Sequence, residues 1–350
     1  MAVRFCTSRD GTRIAWARTG AGVPIVRAAH YLTNIEGDVD SAVYGPWLQA
    51  LARTGELIRY DQRGCGLSSR DVANCSLDAM VADLEAVVAA SGVDRFVLLG
   101  VSQGGATALR YAARHPERVA KLVLVGAFAR GAYRRGNPGE AERARLMVGM
   151  IEHGWGQSNP AFHRAFSTML MPSAPASLHD ELVELQRVSS TPAQAARIFD
   201  TVNGWDASDD MPGVEAPALV MHARDDARVP MAEGLAIAAA LRDGRFVSLE
   251  GRNHLLVPGE PAFDQFFEEL RGFVRDTGVA SGFPALNARE RELLQLVAMG
   301  LDNAQIAARL DRSEKTVRNN VSALFARIGA ENRAQAIVRA REAGFGSGNR

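Results

Sequence analysis

Six short apolar runs, at residues 24–29, 56–60, 96–99, 121–125, 218–222 and 246–249, constrain what the first 275 residues of this chain can become. Each is too short for a stable helix, and its apolar content suits a strand covered on both faces. Between most of them the apolar positions switch to helical spacing, as in Leu77, Met80, Val81, Leu84, Val87 and Val88. Strands alternating with helices predict an α/β fold with a doubly wound, mostly parallel sheet. Asp10-Gly11 lies between half-apolar runs at 3–7 and 12–17, the strongest short-range signal for a β-hairpin, so the sheet is expected to open antiparallel. From Phe128 to Met211 no strand pattern occurs. Helical stretches rich in Met, Phe and Trp there predict an inserted helical cap over about 128–212.

A single hydrophobic core stops growing near roughly 250 to 300 residues, so a chain of 350 residues is expected to hold a second unit. The stretch from Asp276 to Gly282 is small, polar and Gly-containing, with Pro284 following, which predicts a linker at 276–284 between a unit at 1–275 and one at 285–350. Basic and acidic residues balance at 40 each over the whole chain, but from Phe283 onward eleven basic residues face seven acidic ones. The tail is therefore the part suited to a polyanion. Cys6, Cys65 and Cys75 form neither an even disulfide set nor a C-x-x-C pair, so a reducing compartment and no zinc are expected. With no apolar leader and no long uncharged apolar run, the sequence reads as soluble and cytoplasmic, without a membrane contact.

Gly100-Val101-Ser102-Gln103-Gly104 directly follows the run at 96–99 and directly precedes a helical pattern, the context a nucleophile elbow requires. A serine hydroxyl needs a histidine to take its proton, and that histidine needs a carboxylate to fix its tautomer. His254 follows the last apolar run, and Asp226 follows the run at 218–222, with Asp225 beside it as the rival acid. The order Ser102, Asp226, His254 is that of α/β-hydrolases. Together with Asp61-Gln62-Arg63-Gly64-Cys65-Gly66-Leu67-Ser68, similar to that family's D-x-R-G-x-G-x-S loop, these residues make the first 275 or so resemble an α/β-hydrolase. The resemblance implies an oxyanion hole from the backbone N–H groups of Gln103 and Leu32. It also marks a departure, because His30-Tyr31 stands where the family usually has His-Gly.

Among the cap residues, Met147, Met150, Trp155, Phe162, Phe166, Met169, Met171 and Trp205 are candidates to line an apolar ligand pocket, with cap core as the alternative for most. The remaining histidines, and Cys65, read as structural or solvated. No phosphate-binding glycine loop or metal-binding helix motif occurs, so no cofactor and no metal are expected.

The tail reads as four short helices. Asn287 with Glu290 forms a capping-box start, Asp302 caps a second helix, Ser313 a third ended by Gly329, and Asn332 a fourth reaching toward Gly344. Ala288 to Leu294, Gly300-Leu301-Asp302-Asn303, Ile306-Ala307, Leu310 and Ser313 to Val317 resemble the LuxR-type helix-turn-helix domain. With Val317, Val321 and Leu324 turned inward, Lys315, Arg318, Asn319 and Ser322 are expected to face the major groove. Arg318 suits a guanine edge and Asn319 an adenine edge, while Ser313, Lys315, Thr316, the helix N-terminus and Arg327 suit phosphates. The family usually has histidine at Asn320 and lysine at Arg327. Pairing through the fourth helix, as in the family, implies a homodimer on promoter DNA. The whole reads as a transcription regulator with a hydrolase-like sensor for a small apolar ester, lactone or acyl compound. The alternative is a serine hydrolase carrying an accessory DNA-binding tail.

Overall fold

A computed structural model of the chain describes residues 2–275, 286–342 and 345–346. The linker expected at 276–284 and the end near Gly344 lie outside the described residues. Strands β1 (Val3–Thr7), β2 (Arg13–Thr19), β3 (Pro24–Ala28), β4 (Glu56–Tyr60), β5 (Phe96–Val101), β6 (Val119–Val125), β7 (Ala218–Ala223) and β8 (Gly244–Leu249) form one sheet in the order β1-β2-β4-β3-β5-β6-β7-β8. β1 pairs antiparallel with β2, as the Asp10-Gly11 turn requires, and β2 also pairs antiparallel with β4. The remaining pairings are parallel.

The central strands are apolar without alternation because both of their faces are covered. In β5, Phe96 and Leu98 point into one core, shared with the helices α3 (Leu77–Ser91) and α4 (Gly104–Arg114), whereas Val97 and Leu99 point into the other. That second core is closed by α2 (Gly45–Thr54), which follows the single turn α1 (Gly37–Asp40), and by the last helix of the unit. There Trp47 of α2 lies among the rings of Phe263, Phe266 and Phe267, with centroids 5.9, 4.8 and 5.5 Å away. Its indole N–H donates to the Leu256 carbonyl at 2.8 Å, which ties down the loop that carries His254.

Between β6 and β7 the chain makes α5 (Pro138–Gly154), α6 (Ala161–Leu170), α7 (Ala176–Ser189) and α8 (Pro192–Asn203), and the only strand-like feature among the described residues there is a lone bridge between Arg130 and Asp206. These helices are the inserted cap. The N-cap side chains of Asn137 and Thr191, each followed by Pro at the first helical position, explain where α5 and α8 begin. Helices α9 (Met231–Ala240) and α10 (Pro261–Arg275) complete the unit.

The tail folds into α11 (Ala288–Ala298), α12 (Asn303–Leu310), α13 (Glu314–Ile328) and α14 (Arg333–Glu342) around a core of its own that includes Leu294, Val297, Ile306, Val317, Val321 and Leu324. Asn287 with Glu290, and Asp302 with Gln305, make full capping boxes. Asp311, in the left-handed region at φ +50°, turns the chain between α12 and α13. The Ser313 hydroxyl accepts from the Thr316 amide, and the Asn332 side chain from the Gln335 amide, so each expected cap is in use. No described helix is long and apolar enough to cross a membrane.

Candidate functional site

Ser102 sits on the sharp turn between β5 and α4 with φ at +53°, a conformation that a side chain rarely adopts. The turn closes only because its neighbours are glycine. A Cβ on Gly100 would lie 2.9 Å from the Gly104 carbonyl oxygen, and one on Gly105 would lie 2.4 Å from the Ala127 Cβ. Held this way, the Ser102 Oγ lies 2.9 Å from Nε2 of His254, and Nδ1 of His254 lies 2.8 Å from Oδ2 of Asp226. It is Asp226 and not the rival Asp225 whose carboxylate meets the histidine. Three elements far apart in sequence, the ends of β5, β7 and β8, supply the three groups.

Asp226 is fully engaged. Its Oδ1 accepts from the amides of Arg228 and Val229, both at 2.8 Å, and its Oδ2 also lies 3.3 Å from Nε2 of His222. Burial by itself would raise this carboxyl, but the charge and hydrogen bonds of His254 and His222 outweigh it and hold it well below the usual carboxylate range. An ionised Asp226 is placed to hold a proton on Nδ1 of His254, the arrangement in which a neutral imidazole can accept at Nε2 from Ser102.

Leu32 also has a left-handed backbone, with φ at +55°, and its side chain is buried. The amide N–H groups of Leu32 and Gln103 have no acceptor among the described residues. The loop at 61–68 braces both positions. Gln62 accepts from the Gln103 side chain at 2.7 Å, its amide donates to Thr33 Oγ1 at 2.8 Å, and Asp61 accepts from the amides of Ile35 and Leu67 at 2.7 and 2.8 Å. This bracing role of Gln62 was not legible in the motif, which marks the loop's shape and not its partners.

Tyr31 takes up the departure from the family pattern. Its ring lies against Phe166 and Phe199 of the cap, with centroids 5.5 and 5.7 Å away, and its hydroxyl donates to the Ala195 carbonyl at 3.1 Å. Where a glycine would leave space, a side chain couples the sheet to α8. His30 beside it is stacked on Tyr44 at 4.7 Å, and burial, reinforced by Arg27, lowers it to about 3, so it is neutral.

A small cavity of about 60 Å³ opens at Ser102 and His254, walled by Tyr31, Phe128, Phe166, Phe199 and Val202 among others. A larger one of about 440 Å³ adjoins it beneath α5, where Met147, Met150 and Met169 form an apolar wall, and Phe199 and Arg228 line both. Of the cap candidates, Phe166, Met147, Met150 and Met169 thus reach a cavity. Trp155, Met171 and Trp205 are core, and Phe162 is exposed. The Cys65 thiol is pushed up to about 12 by burial, and all three cysteines are free.

On α13 the inward face is Val317, Val321, Leu324 and Ile328, and Lys315, Thr316, Arg318, Asn319 and Ser322 are exposed together with the N-cap Ser313. Arg318 donates to Glu314 at 3.1 Å on the same open face. Arg327, also exposed, donates to Glu290 at 2.6 Å, so its guanidinium is drawn toward α11.

Such a sheet, elbow and cap, joined to a four-helix tail, define a hydrolase-fold protein with a helix-turn-helix. The chain belongs to the alpha/beta hydrolase fold family, which matches residues 37–261, and residues 284–340 match the luxR family of bacterial regulatory proteins, making the tail a LuxR-type DNA-binding domain. Among relatives, the protein of Azorhizobium caulinodans described as "Putative carbamate hydrolase RutD" is 28% identical over 73% of this chain and 92% of its own length. The non-heme haloperoxidase of Rhodococcus erythropolis is 28% identical over 71% and 92%. Among solved structures, the esterase RhEst1 from Rhodococcus sp. ECU1013 superposes with a TM-score of 0.65 at 27% identity, covering 79% of this chain and all of that one. The enol-lactonase of Burkholderia xenovorans LB400 superposes at 0.64 with 20% identity over 78% of this chain, a likeness of fold alone.

Proposed function

We propose that this chain is a cytoplasmic, homodimeric transcription regulator whose hydrolase domain binds and cleaves a small ester-, lactone- or other acyl-type ligand, the outcome setting how the paired helix-turn-helix units engage promoter DNA. The observation that carries the reading is the unbroken relay from Asp226 through His254 to Ser102, opening on a cavity walled by aromatic side chains, in the same chain as a DNA-binding domain. The esterase and RutD relatives support an acyl bond as the target.

In this reading Ser102 attacks the ligand's carbonyl carbon while His254 takes the hydroxyl proton. Asp226 steadies the imidazolium, and the free amides of Leu32 and Gln103 receive the developing oxyanion. His254 then returns the proton to the leaving group, and water enters by the reverse of the same steps. The aromatic wall from Tyr31, Phe166 and Phe199 excludes bulk water, and it couples site to cap, so filling the cavity biases cap position.

For the tail, Arg318 reads a guanine edge and Asn319 an adenine edge, with Ser313, Lys315, Thr316 and Arg327 on phosphates and the stretch at 276–284 as tether. The Arg318–Glu314 pair is exposed, so releasing it on binding DNA costs little. Arg318→Ala is expected to weaken promoter binding by about 1–3 kcal/mol and to relax sequence preference at one base position, measured by titration of promoter fragments at several salt concentrations. Unchanged binding and unchanged preference would refute the groove assignment.

The test of the whole pairs two assays on the full chain and on Ser102→Ala: hydrolysis of an activated ester, and ligand-dependent binding to a promoter fragment. Hydrolysis lost in Ser102→Ala together with altered ligand response at the promoter supports the reading. Hydrolysis with no effect of ligand on DNA binding supports the second reading, an esterase with an accessory tail, which the fully assembled relay also favours.

A further inference from the structure

Arg228 is a cation beside Ser102 and His254 that the relay does not use. It follows the catalytic acid by two residues and lines both the cavity at Ser102 and the larger one beneath α5. Its guanidinium lies over the Phe199 ring at 5.0 Å, and among the described residues its one side-chain hydrogen bond is to the neutral Asn203 amide oxygen at 3.3 Å. An arginine does not surrender its charge and offers five donors. Other inward-facing arginines of this fold meet carboxylates: Arg63 meets Asp83 at 2.6 Å, Arg110 meets Asp210 at 2.9 Å, and Arg135 meets Glu140 at 3.1 Å.

The two carboxylates close enough to serve Arg228 are already engaged. Asp226 is held by two amides and two histidines, and Glu140 by Arg135 and the Asn137 amide. Among the described residues no acidic side chain forms an ion pair with Arg228. The charged groups facing the larger cavity are Arg135, Arg143 and Arg228 against Glu140 and Asp226, an excess of positive charge over an apolar methionine wall. Burial, reinforced by the nearby Arg135, pulls the Arg228 guanidinium down to about 10, still charged at neutral pH.

We infer that the missing anion comes with the ligand: the cavity takes an ester or lactone that also carries a free carboxylate, gripped by Arg228 while the reacting carbonyl lies at Ser102. This deepens the hydrolase reading proposed above and rests on it for the cleavage step. The aliphatic part between the two ends lies along Met147, Met150 and Met169, whose unbranched side chains adapt to irregular shapes. A planar guanidinium matches a carboxylate with two parallel hydrogen bonds, which a neutral ester of equal length cannot supply.

The experiment compares the 4-nitrophenyl monoester of adipic acid, which keeps one carboxylate, with neutral 4-nitrophenyl hexanoate, using full-length protein and the variants Arg228→Met and Arg228→Lys. The expected ratio of kcat/KM favours the acidic ester by about tenfold to a hundredfold in the parent, falls close to unity in Arg228→Met, and is partly kept by Arg228→Lys. No preference in the parent, or both rates falling in proportion in the variants, overturns the inference. A second arm is independent of turnover. Dicarboxylates from succinate to suberate, and inorganic phosphate, are titrated calorimetrically into Ser102→Ala with and without Arg228→Met. Dicarboxylate binding that vanishes with Arg228→Met sustains the inference even if no ester is cleaved, in which case only the hydrolytic reading fails. Binding of phosphate alone, or of nothing, overturns the carboxylate assignment.

Discussion

Ser102→Ala is expected to lower kcat for an activated ester by on the order of 10⁴- to 10⁶-fold while leaving the fold in place. The size follows from geometry. Ser102 is the group that reaches Nε2 of His254 from within the cavity, and the strained turn that presents it is built by its glycine neighbours and not by its hydroxyl. Because the relay acts as a unit, His254→Ala should cost about as much, and combining the two substitutions should add little. Asp226→Asn should lower kcat by about 10⁴-fold, since an amide leaves the His254 ring free to hold its proton on the wrong nitrogen. Steady-state kinetics with burst analysis measures all three. A Ser102→Ala protein that hydrolyses the ester within tenfold of the parent would mean that the bond is cleaved elsewhere.

Arg63→Ala is expected to destabilise the hydrolase unit by about 3–5 kcal/mol. The Arg63 guanidinium grips Asp83 with two bonds, at 2.8 and 2.6 Å, and also holds Asp10 at 2.7 Å and the Asn74 carbonyl at 2.9 Å. Arg63 and Asp83 are almost completely buried, so deleting the cation strands a carboxylate inside the protein. Burial already pushes the Asp83 carboxyl up in the intact pair, and loss of Arg63 pushes it higher. A carboxyl with a raised folded pKa weakens the folded state above its unfolded value. The penalty should therefore be small below about pH 4 and grow as pH rises toward neutrality. Thermal melts of parent and variant at pH 4.5 and 7.5 check both size and sign. Coincident melts at pH 7.5 would show that the buried pair contributes nothing. Since Arg63 lies in the loop that braces Thr33 and Gln103, the same variant should lose ester hydrolysis more steeply with temperature.

Much of this architecture could be read before any coordinates. The period of the apolar pattern announces β5 and α3 directly, because a strand buried on both faces and a helix buried on one leave different spacings. Punctuation residues announced the rest: Asp10-Gly11 for the opening hairpin, Asn287, Asp302 and Ser313 for the starts of the tail helices, and Gly329 for a stop. Ser102, Asp226 and His254 were legible because each sits just beyond an apolar run, where a parallel sheet brings its strand ends together. Position beyond the run does not separate Asp225 from Asp226, and the spacing to Val229-Pro230 is what favours Asp226 in the sequence. The turn into Val229 decides it, by spending the Asp226 Oδ1 on two amides and aiming Oδ2 at the histidine.

Other groups carried no local signal. Gln62 and His222 act on residues 41 and 4 positions away, and nothing in their own neighbourhood distinguishes them from core polar residues. Arg228 reads as an ordinary charged loop residue. So does Arg327, whose partner Glu290 lies on another helix. Secondary structure and fold class were legible in the sequence alone, because periodicity, capping and turn chemistry act over a few residues. How two amides orient the Asp226 carboxylate, how Tyr31 fills the space of a glycine, and that Arg228 has no ion-pair partner among the described residues were settled only by tertiary structure. Those outcomes depend on how distant side chains divide a limited number of hydrogen-bond donors and charges once packed together.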